Sequence, residues 1–154
     1  MIKSILIVDD HPTVGYGTKA ILEQRFNCHV SYVMTGNQAI SKLRGQRYDI
    51  VLCDFMMPTM DGLEVARELK MIQGDLKILI YSGFALDYQH NALMEAGVNG
   101  ILSKESSVED LETAITYLMR GYSLITTDML TKLRLPSFLG STSGNELYDK
   151  WKLN

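Results

Sequence analysis

The chain has 154 residues (17.4 kDa), 46 % of them hydrophobic and 21 % charged, which fits one globular domain with a short appendage and excludes a disordered, collagenous or coiled-coil chain. At this length a chain buries about two thirds of its unfolded surface, so the core needs no disulfide or metal to close it. The 18 acidic and 15 basic residues leave a net charge of -3, a poor match for a nucleic-acid backbone.

The first element is the apolar run Ile5-Leu6-Ile7-Val8, followed at once by Asp9 and Asp10. It is too short, and too soon interrupted by acid, for a signal peptide. Continuous branched runs of this kind suit strands covered on both faces. Val14, Thr18, Ile21, Leu22 and Phe26 then share one helical face, with Pro12 well placed for a first turn. A weaker strand over 30–33 precedes a short helix marked by Ala39, Ile40 and Leu43. Ile50-Val51-Leu52-Cys53 is the next strong run and ends at Asp54. Leu63, Ala66 and Leu69 mark a third helix, with Asp61 as its N-cap. The strand Ile78-Leu79-Ile80-Tyr81 ends at Ser82. Ala92, Leu93 and Ala96 mark a fourth helix closed by Gly97. Ile101-Leu102 is a short fifth strand just before Lys104. Val108, Leu111, Ile115 and Leu118 mark the fifth helix, opened by Ser107 with Asp110 three residues on.

Residues 1–121 form the domain in this reading. Residues 122–136 read as a linker with one short helix from Thr127, stopped by Pro136. Residues 137–154 read as a flexible tail or a truncated linker, with the single tryptophan at Trp151. Cys28 and Cys53 lie in apolar segments, which suits core packing in a reducing compartment. No run reaches the length of a membrane span, and a cytoplasmic protein is expected.

Strands alternating with helices imply right-handed crossovers and a parallel sheet with helices on both faces. Five such units predict a flavodoxin-like, doubly wound α/β fold with strand order 2-1-3-4-5. In such sheets ligands bind beyond the carboxyl ends of the strands. Asp9, Asp10, Asp54, Ser82 and Lys104 all fall there. Three gathered carboxylates repel one another, and desolvation sharpens the conflict. A divalent cation resolves it, and hard oxygen ligands at an open site suit Mg²⁺. Lys104 can pair with one carboxylate or with a phosphoryl group, and the Ser82 hydroxyl can bond a phosphoryl oxygen. Together these are parts for phosphoryl transfer. Singly each is ordinary: Asp10 a helix cap, Ser82-Gly83 a turn, Lys104 a surface lysine. The coincidence at four strand ends carries the reading.

Asp9-Asp10, the segment Asp54-Phe55-Met56-Met57-Pro58-Thr59-Met60-Asp61-Gly62, Ser82 and Lys104 together resemble a response-regulator receiver domain of two-component systems. The resemblance covers about residues 3–120. It implies that Asp54 is the phosphoacceptor for a phosphohistidine on a partner histidine kinase. It implies that Asp9, Asp10, Asp54 and the backbone carbonyl of Met56 hold Mg²⁺, that Ser82 moves toward the phosphoryl group, and that Lys104 pairs with it. Asp9-Asp10-His11-Pro12, Gly17 to Leu22, Tyr81-Ser82-Gly83-Phe84, Ser103-Lys104-Glu105 and Met119-Arg120-Gly121-Tyr122 resemble the LuxR-type (NarL/FixJ) subgroup, and the pattern looks closest to ComA-type regulators. In that family the switch leads to homodimerisation, which would use the fourth helix, fifth strand and fifth helix, or else the first and fifth helices. DNA is then read through an output domain, and no helix-turn-helix is expected after Pro136. The implied turnover is slow hydrolysis of the acyl phosphate, so the chain is not expected to be an enzyme in the usual sense.

Two positions depart from the family pattern. Ile101 stands where receivers often carry a Tyr or Phe switch, and a branched aliphatic has no ring to swing. Glu105 stands where many receivers have proline. Three rival readings are weighed. A phosphohydrolase of the haloacid-dehalogenase type needs two aspartates separated by one residue, whereas Asp9 and Asp10 are adjacent. A flavodoxin-type cofactor protein needs a phosphate-binding loop where the two aspartates stand. A receiver-like interaction module that works without phosphorylation is favoured by Ile101 and opposed by the filled chemical positions. Tyr88, Gln89 and His90 read as a solvated face.

Overall fold

The computed structural model describes residues 1–83 and 89–123. The expected linker helix within 122–136, the tail at 137–154, Phe84 and Tyr88 fall outside the described residues, apart from Tyr122 and Ser123. The elements are β1 (Ser4–Val8), α1 (Pro12–Phe26), β2 (His29–Val33), α2 (Gly36–Gly45), β3 (Ile50–Cys53), α3 (Gly62–Ile72), β4 (Lys77–Ser82), α4 (His90–Glu95), β5 (Gly100–Ser103) and α5 (Val108–Met119). All strand pairs are parallel, and the sheet order is β2-β1-β3-β4-β5. The doubly wound sheet expected from the alternation is the one observed. Among the described residues no helix is long and apolar enough to cross a membrane.

The central strands carry uninterrupted apolar runs because both faces are covered. Leu6, Val8, Val51, Cys53, Ile78 and Ile80 pack with Ala39, Ile40 and Leu43 of α2, Val65, Ala66 and Leu69 of α3, and Leu93 of α4. Ile5, Ile7, Ile50, Leu52 and Leu79 pack on the other face with Leu22 of α1 and Leu111, Ala114, Ile115 and Leu118 of α5. The period-2 alternation of a strand thus divides its side chains between two cores. Cys53 is fully buried and Cys28 half-buried, both as free thiols.

The helix ends follow local chemistry. Asp61 and Ser107 accept hydrogen bonds from the backbone N–H of Glu64 and Asp110, so both are N-caps as expected. Gly97 closes α4 in the left-handed region (φ 91°), with its N–H donated to Met94 O and that of Val98 to Leu93 O. Pro12 opens α1, but the capping residue is His11 and not Asp10.

Two surface expectations are corrected. His90 is buried (5 % exposed), because it lies one turn before Leu93 and shares that residue's inward face. Val14 is exposed (38 %), and Gly15 takes its place against the sheet. The cause is Tyr32 of β2. A Cβ at position 15 would lie 2.2 Å from Tyr32 Cε1 and 2.3 Å from Cζ. Tyr32 has little room to yield: its hydroxyl donates to the Asp9 carbonyl at 2.6 Å, and Tyr16 packs edge-on against its ring. Gly15→Ala is therefore expected to cost about 1–3 kcal/mol by overpacking. The urea midpoint should fall at unchanged m-value. In a Tyr32→Ala background the same substitution should cost far less. Equal costs in the two backgrounds would show that the ring is not the obstacle.

Candidate functional site

The strand ends fix the site. Asp9 follows β1, and its N–H donates to Val33 O; Asp54 follows β3, and its N–H donates to Val8 O at 2.9 Å. Both residues thus extend the ladder by one step, and both are nearly sealed from solvent, at 3 % and 4 % exposed. Lys104 is placed by its own N–H, which donates to Ser82 O. Its ammonium donates to Asp9 Oδ2 at 2.6 Å and lies 3.5 Å from Asp54 Oδ2. Lys104 is thus engaged mainly with Asp9. Ser82 is the last residue of β4, is buried (2 % exposed), and pairs in register with Ser103. The five residues expected at this edge are brought to it.

The sixth member is His11, which sequence reasoning passed over as part of a motif. Its N–H donates to Asp9 Oδ1 at 2.8 Å. Its Nδ1 lies 3.1 Å from Asp9 Oδ1, 3.0 Å from Asp10 Oδ1 and 3.7 Å from Asp54 Oδ2. The available signal was Pro12. With proline in the first turn, residue 11 becomes the extended N-cap (φ -103°, ψ 100°), which turns its side chain back toward the strand ends.

The loop from Asp54 to Asp61 is pressed against the end of β3. The N–H of Gly62 donates to Phe55 O at 2.8 Å. A Cβ there would lie 2.8 Å from Asp54 O and from Phe55 Cα, so only glycine lets α3 start this close to Asp54. Thr59 adopts φ 72°, a strained conformation for a β-branched residue. Met56 is exposed within this loop. A cleft of about 390 Å³, lined by Asp10, Met34, Thr35, Pro58 and Met60 among others, opens beside the carboxylates. Ile101 pairs with Ile80 and packs into the core on the α4 side of the sheet. An aliphatic side chain suits that half-buried position.

Burial pushes the Asp54 carboxyl above its ordinary range. The nearby Lys104 ammonium opposes the rise, and the Asp9 and Asp10 charges add to it. Asp10 Oδ1 is buried without a hydrogen-bond partner among the described residues. His11 Nδ1 makes an ion-pair contact with it at 3.0 Å, while the hydrogen bond of that nitrogen goes to Asp9 Oδ1. Asp9, Asp10, His11 and Asp54 each offer a ligand atom, all within 4.8 Å of one another. A buried acidic oxygen without a hydrogen bond, among clustered carboxylates, fits a hard divalent cation.

Residues 5–116 match the family model of the response regulator receiver domain. The chain belongs to that family. It is 30 % identical over 131 residues to the response regulator protein VraR of Staphylococcus aureus, in an alignment covering 84 % of this chain and 63 % of VraR. The receiver therefore spans less than two thirds of that relative's length. A two-component response regulator of the LuxR family from Aurantimonas sp. SI85-9A1 is 27 % identical and superposes with a TM-score of 0.78, over 86 % of this chain and 95 % of that one. A CheY-like receiver domain protein from Methanospirillum hungatei JF-1 is 25 % identical with a TM-score of 0.74, over 79 % and 96 % of the two chains. LuxR-family regulators are thus among the relatives of this receiver, as Asp9-Asp10-His11-Pro12 anticipates.

Proposed function

We propose that this receiver accepts a phosphoryl group on Asp54 from a phosphohistidine of a sensor histidine kinase. The observation that carries the reading is the convergence of Asp9, Asp10, Asp54 and Lys104 at one strand edge. An Asp54 carboxylate oxygen forms a bond to phosphorus as the P–N bond breaks. The electron pair stays on the imidazole nitrogen, which takes up a proton. Asp9, Asp10, Asp54 and the Met56 carbonyl would hold Mg²⁺, whose charge offsets that of the phosphoryl oxygens. The Lys104 ammonium and the Ser82 hydroxyl donate to those oxygens. These bonds exist only in the phosphorylated state, so they bias a two-state equilibrium. The reporting surface is α4, β5 and α5, which follow Ser82 and frame Lys104. Homodimerisation there would bring output domains outside this chain onto paired DNA half-sites. The place of action is the cytoplasm, and the only turnover is slow hydrolysis of the acyl phosphate.

A second reading, an interaction module independent of phosphorylation, is favoured by Ile101, which packs partly buried against the core and has no ring to move. Intact mass after incubation with phosphoramidate and Mg²⁺ separates the two. A single phosphate addition that disappears with EDTA and in Asp54→Asn is expected, with a change in size-exclusion elution. No addition with donor and metal in excess would favour the second reading. Uptake by Asp54→Asn at the same stoichiometry would refute the acceptor assignment.

A further inference from the structure

We propose that His11 is an additional ligand of the metal centre and makes it a mixed nitrogen–oxygen site that prefers borderline first-row transition ions over Mg²⁺. The inference rests on the reading of the acidic cluster as a divalent-cation site and adds to it a ligand and a selectivity.

The first support is spacing. Metal–ligand distances of about 2.1 Å in an octahedron put neighbouring ligands about 3.0 Å apart and opposite ones about 4.2 Å apart. His11 Nδ1 stands 3.1 Å from Asp9 Oδ1 and 3.0 Å from Asp10 Oδ1, and 3.7 Å from Asp54 Oδ2. All four candidate ligand atoms lie within 4.8 Å of one another. The imidazole therefore keeps ligand-to-ligand spacing with two carboxylates and lies between the two limits for the third.

The second support is that one Nδ1 faces three carboxylates at once. Its hydrogen bond goes to Asp9 Oδ1, with Asp10 Oδ1 in an ion-pair contact at 3.0 Å. Asp10 Oδ1 is buried with that contact and no hydrogen bond among the described residues. A shared cation satisfies both oxygens and the nitrogen together.

The third support is how the ring is held. The His11 backbone is tied to Asp9 through its own N–H, and α1 begins at the next residue. The ring itself is 60 % exposed, so it can adjust to an ion without disturbing the core. Asp9 keeps Oδ1 toward this cluster because Lys104 occupies Oδ2. Imidazole binds nickel, copper and zinc far better than it binds magnesium, which takes oxygen ligands. Mg²⁺ can then use the carboxylates alone, whereas a transition ion recruits His11.

The test is calorimetric titration of the whole chain with Mg²⁺ alone and with Ni²⁺ alone, in wild type, His11→Ala and Asp10→Asn. A second readout is electron spin-echo modulation from ¹⁴N in the Mn²⁺-loaded protein. In His11→Ala the Ni²⁺ affinity should fall by about tenfold or more, the Mg²⁺ affinity should stay within about twofold, and the ¹⁴N modulation should vanish. Asp10→Asn should weaken both ions. Equal changes for Ni²⁺ and Mg²⁺ in His11→Ala, or ¹⁴N modulation that survives it, would overturn the role of His11 while leaving the Mg²⁺ site intact. A wild-type chain that binds no Mg²⁺ would overturn the cation site itself, and the proposal with it.

Discussion

Asp54→Asn is expected to make the folded chain more stable while it removes the proposed phosphoryl acceptor. Asp54 is held at 4 % exposure beside Asp9 and Asp10, and its carboxyl is raised on folding, first by burial. The unfolded chain therefore releases this proton at lower pH than the folded chain. Between the ordinary carboxylate value of about 3.9 and the raised value, the folded state binds more protons, so stability falls as pH rises. Above the raised value the cost is complete and constant. The amide has no charge to desolvate, and a gain of about 0.5–2 kcal/mol at pH 7 is expected, the size seen when a strained functional group is relieved. Mg²⁺ should stabilise the wild type by mass action and the variant less. Urea unfolding at several pH values, with and without Mg²⁺, measures both. Equal stabilities at pH 7, or parallel pH profiles through the acid range, would contradict the account.

Lys104→Met carries the opposite sign. The ammonium is hydrogen-bonded to the buried Asp9, and it also faces Asp54. Methionine keeps the apolar stem and removes the charge. Breaking a buried pair from one side costs about 3–5 kcal/mol, because the remaining charge is left without compensation. Lys104 retains 17 % side-chain exposure, so water recovers part of this, and about 2–3 kcal/mol is expected. Adding Asp9→Asn to the same chain should restore most of the loss, because the orphaned charge goes with it. Millimolar Mg²⁺ should restore a share in the single variant and little in the double. A double-mutant cycle by urea unfolding measures the coupling. A cost below about 0.5 kcal/mol would mark the pair as an ordinary surface contact.

The strands were legible because a sheet covered on both faces leaves uninterrupted apolar runs, as at Ile5 to Val8 and Ile50 to Cys53. The N-caps Asp61 and Ser107 were legible because capping is chemistry within four residues. Asp9, Asp54, Ser82 and Lys104 could be brought together on paper because strand order alone decides which strand ends are neighbours. What escaped depends on contacts distant in sequence or on backbone geometry. Gly15 is buried because a ring from β2 needs its space. His11 joins the site through the entry angle of α1. The positive φ of Thr59 arises in a loop pressed against β3, and nothing in a threonine announces it.

Cys53 and Asp54 are adjacent in sequence and back to back in space. The thiol lies in the core shared with α2, α3 and α4 and donates to the Asp54 carbonyl, while the carboxylate faces Lys104. Burial also pushes the thiol far up, so its thiolate is scarce. An aspartyl phosphate is an activated acyl group, and a thiolate within reach would cleave it to a thioester. The pleat of one strand keeps the thiol and the carboxylate on opposite sides of the sheet, so under the proposed function the lifetime of an acyl phosphate on Asp54 would be left to water.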